Sequence, residues 1–77
     1  MPPLLASELQ ERRGLAYAWL SQVDHAAADL QPAVTRALAR LHASRAVELL
    51  IALGMSYQRA DRYAPGAEVL RQALQLA

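Results

Sequence analysis

The sequence predicts an all-α protein of about four helices, arranged as two helical hairpins, with a small helical bundle as the alternative. Alanine and leucine dominate a composition that is 55% hydrophobic but only 5% aromatic, and both residues favour helices. Apolar residues recur at intervals of three and four along several segments, which is the helical period. The sequence has no alternating runs rich in valine or threonine and bounded by turn residues. We therefore expect no sheet.

The first helix is predicted to follow an irregular lead-in over residues 1–6, which contains two prolines. The rest of the chain, residues 7–77, is predicted to be a single helical domain. Ser7 and Gln10 have the spacing of a capping box, so the helix is expected to begin near Ser7. A turn is expected near Asp24. The predicted apolar stripe of this helix consists of Leu9, Ala16, Trp19, Leu20 and Val23.

The second helix is predicted to begin at Ala26 or Asp29 and to end near Leu41. Pro32 fits the first turn if Asp29 is the N-cap, because a proline lacks the N–H that the helix interior needs. An earlier start would place a kink at Pro32. The predicted apolar stripe consists of Leu30, either Ala33 or Val34, Ala37, Leu38 and Leu41.

Two more helices are predicted after a break at residues 42–44. Ser44 is a plausible N-cap for the third, which should run from Arg45 to about Ala60. The fourth should begin at Ala64 or Pro65 and continue to the end of the chain, since proline suits a first helical turn. Its predicted apolar stripe consists of Leu70, Ala73, Leu74 and Ala77.

Residues 49–76 carry the most specific pattern in the chain. Small and apolar residues at fixed spacing flank a short polar break; they are Leu50, Leu53, Gly54, Tyr57, Tyr63, Gly66, Leu70 and Ala73. This pattern resembles one tetratricopeptide repeat (TPR), a helix-turn-helix unit of about 34 residues. It departs from the family at Leu50, where tryptophan is usual, and at Asp61, where the turn usually has glycine. A weaker copy lies earlier in the chain at an offset of 38, where Leu15 to Trp19 parallel Leu53 to Tyr57, with a slip of two positions near Pro32.

The resemblance implies that the first helix of each repeat lines a concave groove. The partner-binding residues that it suggests are Tyr17, Leu20, Glu48, Ile51, Met55, Gln58 and Arg59. Independently of the family, the third helix has apolar residues on two sides, and one hairpin cannot cover both. Either Ile51 and Met55 face a partner, or they pack on a neighbouring repeat of this chain.

These features predict a non-catalytic protein–protein interaction module. The expected protein is an adaptor or chaperone, similar to small repeat-type chaperones of bacterial secretion systems, that binds an amphipathic helix or extended peptide. Ile51 and Met55 occupy positions where family members that clamp a carboxylate carry basic and amide residues, so such a clamp is not expected. The alternative is a homodimerising helical bundle, or the scaffold or sensor part of a larger repeat protein such as a transcriptional regulator.

Composition argues against other classes of function. The chain has no cysteine, and its net charge of +1 gives no basic footprint for nucleic acid. His25 and Asp29 are close in sequence but lack a third metal ligand, no serine has a neighbouring base, and no glycine-rich phosphate loop occurs. We expect no catalytic, cofactor or metal site. No run is long enough to span a bilayer, and a cytoplasmic location is expected. All eight basic residues are arginine, which is typical of GC-rich bacterial genes.

Overall fold

Four α-helices make up most of residues 6–77. A computed structural model describes residues 6–77, together with every side chain in that range except that of Ser7. The helices are α1 (Ala6–Trp19), α2 (Val23–Ala39), α3 (Ala43–Arg59) and α4 (Tyr63–Leu76). Residues 6–77 contain no strand. The all-α prediction is confirmed; the predicted lead-in and the capping contact of Ser7 lie outside the described part, except that Ala6 already belongs to α1.

The helices stack as two antiparallel hairpins. Each helix packs against the next in the chain, and α1 also contacts α3. Within residues 6–77, α2 and α4 make no close backbone contact, and neither do α1 and α4. The described chain is thin, with extents of 41 × 26 × 13 Å. The second hairpin therefore meets the first through α3, which is the element that contacts all three others.

The three turns between helices share one backbone geometry. Ser21, Leu41 and Asp61 have φ values of 59°, 61° and 60°, in the left-handed region. In the first turn the N–H of Ser21 donates to the carbonyl of Ala18 and the N–H of Gln22 to that of Tyr17, and the other two turns repeat these bonds. This is the Schellman arrangement, which normally has glycine at the left-handed position. The three turns are evenly spaced along the chain, so each is one unit of a regular helix-and-turn period.

The turns explain where the predicted boundaries are wrong. The first turn lies at residues 20–22 and not near Asp24, and α2 begins at Val23. Asp29 is therefore in the middle of α2 and does not cap it, and Pro32 lies inside the helix. Leu41 belongs to a turn and is exposed. None of these turns contains glycine or proline, which are the residues that mark turns in a sequence.

The core is built mainly from α2 and α3. Its largest members are Leu30, Leu49, Leu50 and Leu53, all fully buried. The predicted stripe of α1 is wrong, because Leu9, Trp19 and Leu20 are exposed and the buried positions described in that helix are Gly14 and Ala18. The predicted stripe of α4 is half wrong, because Leu74 and Ala77 are exposed whereas Val69 is buried.

The two hairpins correspond without a gap at an offset of 40, the separation of the turn residues Ser21 and Asp61. A Cβ added to Gly14 would lie 2.7 Å from Cδ2 of Leu30, and one added to Gly54 would lie 2.6 Å from Cδ2 of Leu70. Both glycines thus permit the same close contact between the helices of a hairpin. Other identical pairs at this offset include Leu9 and Leu49, Tyr17 and Tyr57, Ala27 and Ala67, Ala33 and Ala73, and Ala37 and Ala77. The predicted offset of 38 with a slip is wrong, and the observed period is longer than the roughly 34 residues of a tetratricopeptide repeat.

Candidate protein-binding groove

An apolar groove lies between α1 and α3, where the two hairpins meet. It has a volume of about 390 Å³ and is lined by Leu15, Ala18, Trp19, Ala52, Met55 and Arg59. Trp19 is the only tryptophan of the chain and is 80% exposed. Tryptophan is enriched at protein interfaces, and a contiguous exposed apolar surface marks an interaction site. The groove is therefore the strongest candidate for a binding surface in residues 6–77.

Arg59 connects the two walls of this groove. Its Nη2 donates to the carbonyl of Ala18 at 2.7 Å and its Nε donates to Oγ of Ser21 at 3.3 Å. Its guanidinium carbon lies 5.6 Å from the centroid of the Trp19 ring, a distance at which a cation is attracted to the ring face. The positive charge thus lies at the end of an otherwise apolar groove.

Five of the predicted partner-binding residues share the outer face of α3. Ile51 and Met55 are 45% and 46% exposed, and Glu48, Gln58 and Arg59 are exposed as well. Glu48 forms an ion pair with Arg45 at 2.8 Å. Of the five, Met55 and Arg59 line the groove between α1 and α3. Ile51 borders a second apolar groove, between α3 and α4.

The two predicted residues from the first hairpin lie elsewhere. The ring of Tyr17 is stacked on that of His25 with centroids 4.8 Å apart, and it packs against the core. Leu20 is an exposed turn residue. Neither lines the groove; Leu15 and Trp19 do, and sequence reasoning missed them. An offset of 40 would have found both, since it pairs them with Met55 and Arg59.

Arg13 and Asp29 join α1 to α2 by a two-pronged ion pair. Nε and Nη2 of Arg13 donate to the two carboxylate oxygens of Asp29 at 2.8 and 2.7 Å. The hydrogen bonds and the positive charge of Arg13 hold the pKa of Asp29 below its usual range, although burial opposes the shift. Arg13 is therefore occupied within the chain. At the equivalent positions, the second hairpin has Leu53 and Val69.

This ion pair makes stability depend on pH. Because the pKa of Asp29 is lower in the folded than in the unfolded chain, its contribution is present above about pH 4 and is lost as the pH falls through the folded value. We expect Asp29→Asn to lower the free energy of unfolding at pH 7, and the difference from wild type to shrink as the pH falls below about 4. Urea titrations across this range measure it.

Asp24→Asn is the control for that experiment. Asp24 also pairs with an arginine, Arg62, at 2.8 Å, but its side chain is almost fully exposed. Exposed ion pairs contribute little, so this variant should match wild type at every pH. A loss for Asp29→Asn that is the same at pH 2 and pH 7 would contradict the role given to the carboxylate charge.

Metal ligands do not converge in the described part of the chain. Residues 6–77 contain no group of three or more His, Cys, Asp or Glu side chains placed to hold an ion. His25 is stacked on Tyr17, and Asp29 is engaged by Arg13. Among these residues, no helix has the length and apolar character needed to cross a membrane.

Comparison of the chain with protein-family models, with curated proteins and with solved structures gave no significant match.

Proposed function

We propose that this protein is a non-catalytic protein–protein interaction module, an adaptor or chaperone of the tetratricopeptide kind. Its partner is an amphipathic helix or an extended peptide, held in the groove between α1 and α3. The observation that supports this most is the exposure of Trp19 beside Met55 along one apolar groove. Aromatic and methionine side chains are enriched at interfaces, where they give large contact areas that adapt to the partner.

The charge at the groove favours an acidic partner. Arg59 uses Nη2 and Nε within the chain, and its side chain is still exposed. An arginine has five N–H donors, so a carboxylate of the partner can bind the remaining ones. Glu48 is already paired with Arg45. The preferred partner therefore has aliphatic residues on one face and a carboxylate near one end.

Trp19 allows a direct test, because it is the only tryptophan and lies in the groove. The probe is a peptide of about five helical turns without aromatic residues, with leucines at i, i+3, i+4 and i+7 and glutamates on the other face. We expect the peptide to change the fluorescence of Trp19. Met55→Gln should weaken binding about tenfold, the equivalent of about 1.4 kcal/mol, because a methionine loses its apolar contact.

Two controls show whether binding depends on the groove and on the amphipathic pattern of the peptide. Leu41→Gln also replaces an exposed apolar residue by glutamine, but Leu41 lies in the turn between α2 and α3, outside both apolar grooves, so its affinity should equal that of wild type. A scrambled peptide should not bind. Equal losses for both variants, or no fluorescence change with the amphipathic peptide, would contradict the proposal. Self-association that Met55→Gln abolishes would favour the homodimer predicted as the alternative.

A further inference from the structure

The α4 helix has an uncovered apolar stripe beside its buried one. The residues of this "α4 stripe" recur at intervals of four, three, four and three; they are Tyr63, Ala67, Leu70, Leu74 and Ala77. Such spacing is that of a seam between two packed helices. Tyr63 is 63% exposed and Leu74 is 77% exposed. The stripe thus has the pattern of a helix contact without a helix on it in residues 6–77.

The same positions in the first hairpin are covered. At the offset of 40, the α4 stripe corresponds to Val23, Ala27, Leu30, Val34 and Ala37 of α2. Val23 is 6% exposed and Val34 only 7%, and α3 packs against α2. The molecule therefore contains one covered and one uncovered form of the same surface. The covered form shows which kind of element fits the uncovered one.

A neighbouring groove indicates how the missing element should differ from α3. In the first hairpin, Arg45 of α3 reaches over to α1 and pairs with Glu11, next to Ala33 and Ala37. In the second hairpin, Ile51 stands at the position of Glu11. The corresponding groove there, about 220 Å³ in volume, is lined by Val47, Ile51, Leu70, Ala73, Leu74 and Ala77. Its lining side chains carry no carboxylate, so an arginine there would lack the partner that Glu11 provides and would keep only the Glu48 of its own helix.

We propose that the α4 stripe and this groove bind the first helix of a further hairpin of the same repeat type. That helix has small and leucine side chains at the positions of Ala46, Leu49, Leu50 and Leu53, and an aliphatic residue where α3 has Arg45. The α1 helix of a second copy does not meet this description, since Gln10 and Arg13 stand at the positions of Leu50 and Leu53. Arg13 is also held by Asp29.

The proposal can be tested by adding a copy of part of this chain after Ala77, so that the helix-and-turn period continues. Ala77 occupies the position of Ala37, so a repeat of residues 38–77 placed directly after Ala77 continues α4 as α2 continues into α3. Two extended chains are made: one keeps the arginine in the copied segment and the other has Arg45→Leu there. We expect the leucine version to unfold in one transition, with a midpoint at least about 8 °C above that of the original chain. The arginine version should have a lower midpoint than the leucine version.

A substitution in the α4 stripe tests whether the rise in the midpoint comes from covering that stripe. Leu74→Glu should lower the midpoint of the extended leucine version by at least about 8 °C, and that of the original chain by less than about 3 °C, because only the former covers Leu74. Leu74→Ala gives the same comparison without an added charge, should the glutamate version fail to fold. Leu9→Gln is the control and should act equally on both chains, because Leu9 is exposed on α1, which makes no close backbone contact with α4. Leu9 also lies outside the proposed peptide groove.

Three results would overturn the proposal. Leu74→Glu could have the same small effect in both chains, which would mean that the appended helix does not cover the stripe. Arginine and leucine at the copied position 45 could give equal midpoints, which would mean that Ile51 does not favour an aliphatic residue there. Sedimentation could show that the original chain self-associates and that Leu74→Glu abolishes this, which would assign the stripe to a second copy.

Discussion

Leu53→Ala should lower the free energy of unfolding by about 2–5 kcal/mol, the range for truncating a buried leucine. Leu53 is fully buried in α3, the helix that contacts all three others. The total stability expected for a chain of this length is only roughly 4–12 kcal/mol, so this single change removes a large part of it. Urea denaturation followed by circular dichroism measures the loss.

Leu74→Ala is the matched control for this prediction. It makes the same substitution at a leucine that is largely exposed on α4, and surface changes usually stay within about 0.5 kcal/mol. Similar losses for the two variants would mean that Leu74 is covered in solution. They would also mean that the chain does not have the exposed surface described above.

Gly14→Ala should destabilise the protein by about 1–2 kcal/mol, whereas Gly54→Ala should stay within about 1 kcal/mol of wild type. Alanine gains about 1 kcal/mol of helix propensity at both sites, and overpacking costs about 1–3 kcal/mol where neighbours cannot move. The added Cβ at Gly14 would meet Leu30 and also Cβ of Asp29, at 2.8 Å, and both residues are buried.

Gly54 differs because its close neighbour has room. The added Cβ would meet mainly the side chain of Leu70, which is only partly buried and borders the open groove. Leu70 can therefore move aside at low cost. Thermal melts of the two single variants test this difference. Equal losses would show that Leu70 is held as firmly as Leu30.

The sequence was sufficient for the fold class but not for the register of the helices. The glycines and the leucines of α3 predicted close, apolar helix pairs, and these occur. The turns at Ser21 and Leu41 were predicted a few residues late, because their left-handed conformation is stabilised by backbone hydrogen bonds and is not marked by a glycine. Matching Leu15–Trp19 with Leu53–Tyr57 gave the offset of 38, which shifted the first hairpin by two positions relative to the second.

That shift also decided which residues were assigned to the candidate site. Met55 and Arg59 were predicted from the clearer hairpin and line the groove. An offset of 38 carried Met55 onto Tyr17, whereas the correct offset carries it onto Leu15. Trp19 was assigned to an apolar stripe, because a sequence does not show whether a large side chain at a helix end is covered. The structure shows that α3 leaves the side chain of Trp19 exposed at the edge of the groove.

The chain of helix contacts has a consequence for how the molecule comes apart. In the described residues, α4 makes close backbone contact only with α3, and α1 makes it with α2 and α3 but not with α4. Structures linked in this way by neighbours tend to fray from their ends. Amide protons of α4 should exchange with solvent soonest, and those in the middle of α3 last. A helix that covers α4 would slow amide exchange along the whole molecule, because α4 would then no longer be the end from which the stack of helices frays.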